Sequence, residues 1–77
     1  METHTVLQAS EILVSEGRYP SQIVLRQVKE RTYATHLKVL PPGAEPYYIL
    51  GRYFFSLAEA EADFRHRSQE LKAFQGG

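Results

Sequence analysis

Imidazoles, carboxylates and guanidinium groups are the side chains in this sequence able to move protons, hold a metal ion or grip an anion. The three histidines are His4, His36 and His66, and no pair has a spacing, such as i, i+4 on a helix, that brings two rings onto one metal ion. As a general base, His36 would need a nucleophile and an orienting carboxylate. The sequence around it offers neither, so a strand residue that packs and hydrogen-bonds is expected. Glu59, Glu61 and Asp63 form a carboxylate cluster, with Glu59 and Asp63 on one helical face. Near a helix N-terminus such charges stabilise the dipole and face water. Arg65-His66-Arg67 is a basic triplet further along, where cations complement the negative end of the helix. The chain has no cysteine, which excludes a disulfide scaffold, thiolate metal sites and a thiol nucleophile. It also lacks a glycine-rich phosphate loop, a Gly-x-Ser-x-Gly elbow and a zincin motif. No catalytic residue, metal ligand or cofactor is expected, and the chain reads as non-enzymatic.

Binding is the chemistry that remains. Tyr and Arg are enriched among the residues that dominate protein interfaces, which makes Tyr33, Tyr48, Arg52 and Tyr53 the candidates for a protein-binding surface. Arg18, Arg26, Lys29, Arg31 and Lys38 crowd the middle of the chain with only Glu30 against them, and they are the candidates for a nucleic-acid surface. A formal net charge of zero leaves little general attraction for phosphate. A protein partner or a second copy of the chain is expected ahead of nucleic acid.

The elements that must position these residues are clearest in the C-terminal half. Tyr47 to Phe55 is rich in aromatic and aliphatic residues, as a half-buried strand requires. Ser56 stands at a helix N-cap, and Glu59 three residues on completes a capping box. The helix then runs from Leu57 to about Phe74. Its apolar stripe is Leu57, Ala60, Phe64, Leu71 and Phe74, interrupted at Arg67 and Ser68. Strict alternation along the strand puts Tyr47, Ile49, Gly51, Tyr53 and Phe55 on one face and Tyr48, Leu50, Arg52 and Phe54 on the other. Which set faces outward is left open.

Further upstream, Thr5 and Gln8 make a second capping box, and Val6 to Glu16 reads as a helix stopped by Gly17. The rival is a strand at Ile12 to Ser15. Gln22 to Val28 and Tyr33 to Leu40 read as two strands joined by a turn at Lys29-Glu30-Arg31-Thr32. Two alternatives stand beside this: a helix over Ser21 to Arg31, or one long bent strand from Ile23 to Val39. Pro41-Pro42-Gly43-Ala44-Glu45-Pro46 is a loop, because proline cannot donate to a ladder and glycine allows a positive φ. The fold class is α+β, with the order helix, strand, strand, strand, helix. A three-stranded antiparallel sheet carries both helices on one face. The opposite face, left open, is the expected interaction surface.

A chain of 77 residues makes one domain, 1–77, and buries only ~60–65% of the surface its unfolded form exposes. No apolar run is long enough to span a membrane. Met-Glu-Thr-His-Thr is not the start of a signal peptide, and a cytoplasmic location is expected.

In order and length, these elements resemble the double-stranded RNA-binding domain. That family grips phosphates with a lysine-rich start to its second helix. Here Leu57-Ala58-Glu59-Ala60-Glu61-Ala62 is acidic, so the resemblance implies the topology and not the RNA grip. Gly51-Arg52-Tyr53-Phe54 resembles part of an RNA-recognition strand with exposed aromatics. An aromatic strand followed by Leu57-x-x-Ala60 is similar to arm-type integrase DNA-binding domains, which are usually basic. Tyr33-Ala34-Thr35-His36, with Gly51-Arg52-Tyr53-Phe54, Glu59-Ala60, Asp63-Phe64 and Arg67, is similar to small uncharacterised bacterial proteins carried on plasmids, phages or integrated elements. That resemblance covers about the last half of the chain. It implies a setting, that of a mobile-element accessory or anti-defence protein, and no activity.

Overall fold

The computed structural model describes residues 5–76, with side chains through residue 73. Four strands and one helix follow in chain order: β1 (Thr5–Ala9), β2 (Ser21–Lys29), β3 (Thr32–Val39), β4 (Tyr47–Phe54) and α1 (Leu57–Gly76). The strands form one antiparallel sheet in the order β1-β2-β3-β4, so each pairs with its neighbour in sequence and no crossover is needed.

The α+β class, the single antiparallel sheet and the C-terminal helix match the sequence reading. The number of strands and the N-terminal helix do not. The sheet has four strands rather than three, and Thr5–Ala9 is its first strand. Thr5 pairs with Gln27 and Ala9 with Val24. The Ser10 amide then donates to the Ile23 carbonyl at 2.8 Å, and the Ile23 amide donates to Ser10 Oγ, also at 2.8 Å. The Val6–Glu16 segment fits both helical and strand periodicity. An isolated helix of that length is marginal in water, whereas the open edge of β2 offers a ready ladder of backbone partners. The long-range pairing prevails. The rival strand at Ile12 to Ser15 shrinks to a single bridge between Leu13 and Ser21.

Residues 21–29 are strand, which settles the alternatives for the middle of the chain. The turn falls at Glu30-Arg31, with Arg31 in the left-handed region at φ 60°. A bulge at Val28 precedes it. The proline-rich loop lies where its composition places it, with Gly43 at φ 74° and the Ala44 amide donating to the Pro41 carbonyl at 3.3 Å.

Helix α1 starts at Ser56, whose Oγ accepts from the Glu59 amide at 3.4 Å. It lies chiefly across β2 and β3, reaches β4 less, and leaves β1 beyond its backbone contacts. Ala60 and Phe64 meet Ile23 and Leu25 in the buried core, with Tyr33, Leu37, Phe54 and Leu71 packed around them. Arg67, which interrupts the apolar stripe in sequence, occupies the stripe's next position and is only 8% exposed. The Cα envelope is 16 Å in its thinnest direction, as expected for one helix on one sheet. Among the described residues, no other element covers the sheet's second face.

Candidate functional site

Register decides which side chains share the open face. Arg26 pairs with Ala34 and Ala34 with Tyr53, while Lys38 pairs with Tyr48. Between these rows β4 holds two residues, Leu50 and Gly51, opposite the single His36 of β3. This is a β-bulge, with Leu50 in the left-handed region at φ 55°. The extra residue shifts the phase of β4. Tyr48 and Tyr53, an odd number of positions apart, therefore share the open face instead of taking opposite ones. Arg52 turns toward the helix.

His36 lies at the centre of this face. Its ring centroid is 5.4 Å from that of Tyr48, tilted, and 5.9 Å from that of Tyr53, edge to face. The ring rests against the backbone of Gly51, where an added Cβ would stand 2.7 Å from Nε2. His36 is 7% exposed, and its Nδ1 is buried without a hydrogen-bond partner among the described residues. Burial pushes its pKa below 6.5, and the nearby Arg26 and Arg67 guanidinium groups push the same way. Around the histidine the cations gather on one aromatic ring. The Arg26 guanidinium carbon is 4.5 Å from the Tyr48 centroid, and Lys38 Nζ is 5.9 Å from it, both within cation–π range. Val24 and Ala34 are buried beneath.

None of the four strands contains Asp or Glu, while Arg26, Lys29, Lys38 and Arg52 all lie in strands. The described acids stand in loops and turns (Glu11, Glu16, Glu30, Glu45) or on α1 (Glu59, Glu61, Asp63, Glu70). The open face is cationic and aromatic although the chain is neutral.

The opposite face holds a second polar cluster, between helix and sheet. Arg67 Nη1 donates to the Thr35 carbonyl at 3.2 Å and to Thr35 Oγ1 at 2.9 Å. The Thr35 hydroxyl donates to Asp63 Oδ2 at 2.6 Å, and Arg52 Nη1 donates to Asp63 Oδ1 at 2.9 Å. Desolvation lowers the pKa of Arg67, as does Arg52, against the opposing pull of Asp63 and Glu70. Thr35 is wholly buried. The chain of bonds fastens α1 to β3 and β4.

The candidate residues from sequence are dispersed accordingly. Tyr48 and Tyr53 meet Arg26 and Lys38 on the open face, which merges parts of the protein-binding and nucleic-acid sets. Tyr33 packs under the helix, and Arg52 is tied to Asp63. Lys29 and Arg31 stand exposed at the β2–β3 turn. Arg18 lines a groove of about 610 Å³ on the helix side, beside Tyr19 and Leu71.

The carboxylate cluster also separates. The Glu59 amide is held by the helix cap, Glu61 Oε2 accepts from Gln8 Nε2 at 3.3 Å, and Asp63 joins the buried network. In the basic triplet, His66 pairs with Glu70 at 3.2 Å on the exposed side, while Arg67 turns inward. His4 lies outside the described residues. Among the described residues no group of three or more His, Cys, Asp or Glu side chains is placed to hold a metal ion.

Sequence reasoning missed His36 as the centre of the open face and Gly51 as its support. The available signal was an isolated glycine inside a strand pattern, which marks a bulge or a close approach. Compared with family models, with curated proteins and with solved structures, the chain matches none.

Proposed function

We propose that this chain is a small non-enzymatic interaction module that binds an anionic macromolecular partner through the open face of its sheet. One observation carries the reading. The strands contain no carboxylate, and Arg26 and Lys38 converge with Tyr48 and Tyr53 on the face that α1 leaves uncovered. Such a face attracts negative charge at long range and offers flat, stiff rings for close contact. The buried network under the helix holds the sheet in place without taking part in contact.

The test is an amide chemical-shift titration with a heparin-derived oligosaccharide at low salt. Shifts are expected at Arg26, His36, Lys38, Tyr48 and Tyr53, and not along Glu59–Glu70. Shifts confined to the helix, or none at all, overturn the reading. Two substitutions sharpen it. Tyr53→Ala should weaken binding with little change in thermal melt, and Arg52→Ala, which strips Asp63 of an ion pair, should mainly lower the melt.

A second copy of the chain is the other occupant that a specific observation favours. β4 is an edge strand, and its Tyr47, Ile49 and Leu50 are exposed. Unpaired edges of this kind pair readily with other strands. Sedimentation across a concentration series distinguishes a dimer from a monomer, and Leu50→Lys should shift any dimer toward monomer.

A further inference from the structure

Resting on that reading of the open face, we infer that its partner is a single-stranded nucleic acid, with one base stacked on Tyr53, another on the Arg26 guanidinium that covers Tyr48, and phosphates held by Arg26 and Lys38. Three observations point to this ligand rather than to an acidic protein surface.

The first is the ring arrangement. Tyr48, His36 and Tyr53 form a row across β3 and β4. Tyr53 is 63% exposed, while His36 is buried between its neighbours and braces them. Aromatic rings on an open sheet offer bases a sequence-tolerant stacking surface, because every base has a π-face.

The second is spacing. Tyr48 pairs with Lys38 and Tyr53 with Ala34, and the His36 ring stands between theirs, 5.4 Å from the Tyr48 centroid and 5.9 Å from that of Tyr53. Bases stacked within a duplex are only about 3.4 Å apart and hidden from such rings. An unstacked strand can splay its bases across the gap.

The third is the placement of charge. Arg26 lies over the Tyr48 ring at 4.5 Å and Lys38 flanks it at 5.9 Å, which sets cations beside the stacking surface. The strands contribute no carboxylate to repel a phosphodiester chain. A planar guanidinium over a phenol can itself receive a base or a phosphate.

The experiment is fluorescence anisotropy with three labelled probes: a short oligothymidylate, a duplex of equal length and a polyglutamate peptide. Oligothymidylate is expected to bind tightest. With two phosphate contacts, its log K should fall against log salt with a slope of about −1.4. Tyr53→Ala should weaken it about 5- to 150-fold, the range for loss of one stacking ring. Tyr53→Leu keeps bulk over His36 without a flat ring and should lose affinity similarly while melting like the parent. Lys38→Gln should lower the salt slope.

If polyglutamate binds tighter than oligothymidylate through the same face, the nucleic-acid inference fails and the interaction-module reading stands. If the duplex binds as tightly as the single strand, or Tyr53→Leu has no effect, the stacking inference also fails. If no probe binds at low salt, both fail.

Discussion

His36 carries the cost of its burial in its titration. Its folded pKa lies below the unfolded value of 6.5, chiefly through burial and then through Arg26 and Arg67. The unfolded chain therefore binds the proton more readily. The stability that His36 contributes is fully present above 6.5 and is lost as pH falls through the lower folded value. Urea midpoints of the parent and of His36→Gln, measured from neutral to mildly acidic pH, should converge as pH falls. Parallel profiles would contradict this. Gly51 is the companion residue. A Cβ there would stand 2.7 Å from His36 Nε2, and the ring, wedged between Tyr48 and Tyr53, has no simple retreat. Gly51→Ala would ordinarily stabilise a chain by restricting its unfolded state. Here it should destabilise by about 1–3 kcal/mol, the range for overpacking. An unchanged denaturation midpoint would show that the ring moves freely.

At the scale of elements, the fastening of α1 to the sheet depends on a residue that looks out of place in the helix. Replacing Arg67 with Met keeps most of the stem's packing and removes its bonds to the Thr35 carbonyl and hydroxyl. A loss of about 2–3 kcal/mol is expected, as for hydrogen bonds made by a charged group, and equilibrium urea unfolding measures it. Ser56→Ala should cost less, about 0.5 kcal/mol, because the cap bond is long at 3.4 Å. The helix, its cap and the proline loop were legible because each rests on local chemistry, whereas the β2–β3 turn, with no Gly, Asn or Asp in Lys29-Glu30-Arg31-Thr32, left a helix and a single bent strand as alternatives. The first strand was not. Thr5–Gln8 satisfies a capping box, and only the distant edge of β2 overrides it. Arg67 was misread as a break in the stripe because a sequence cannot show that Thr35 and Asp63 wait beneath it. The placement of Tyr48 and Tyr53 on one face was hidden because a leucine in the left-handed region has no sequence signature. Only Gly51 hinted at the irregularity.

Taken as a whole, the molecule is electrically neutral, with strands that carry cations and no acids and a helix and loops that carry both signs. Generic duplex DNA or RNA should bind only weakly at physiological salt, no tighter than the ~10⁻⁴–10⁻⁶ M usual for non-specific contact. A gel shift at sub-micromolar protein would contradict that. The bulge in β4 has a consequence for how such a chain can vary in length. With Leu50 removed, Ile49 would still oppose Leu37, Gly51 would alone oppose His36, and Arg52 would still oppose Thr35. A chain one residue shorter would thus keep Tyr48 and Tyr53 on the open face and Arg52 toward Asp63, now by simple alternation. Length and facing are separable at this one point. A single deletion elsewhere in β4 must be absorbed there or re-sort the strand's side chains between the two faces.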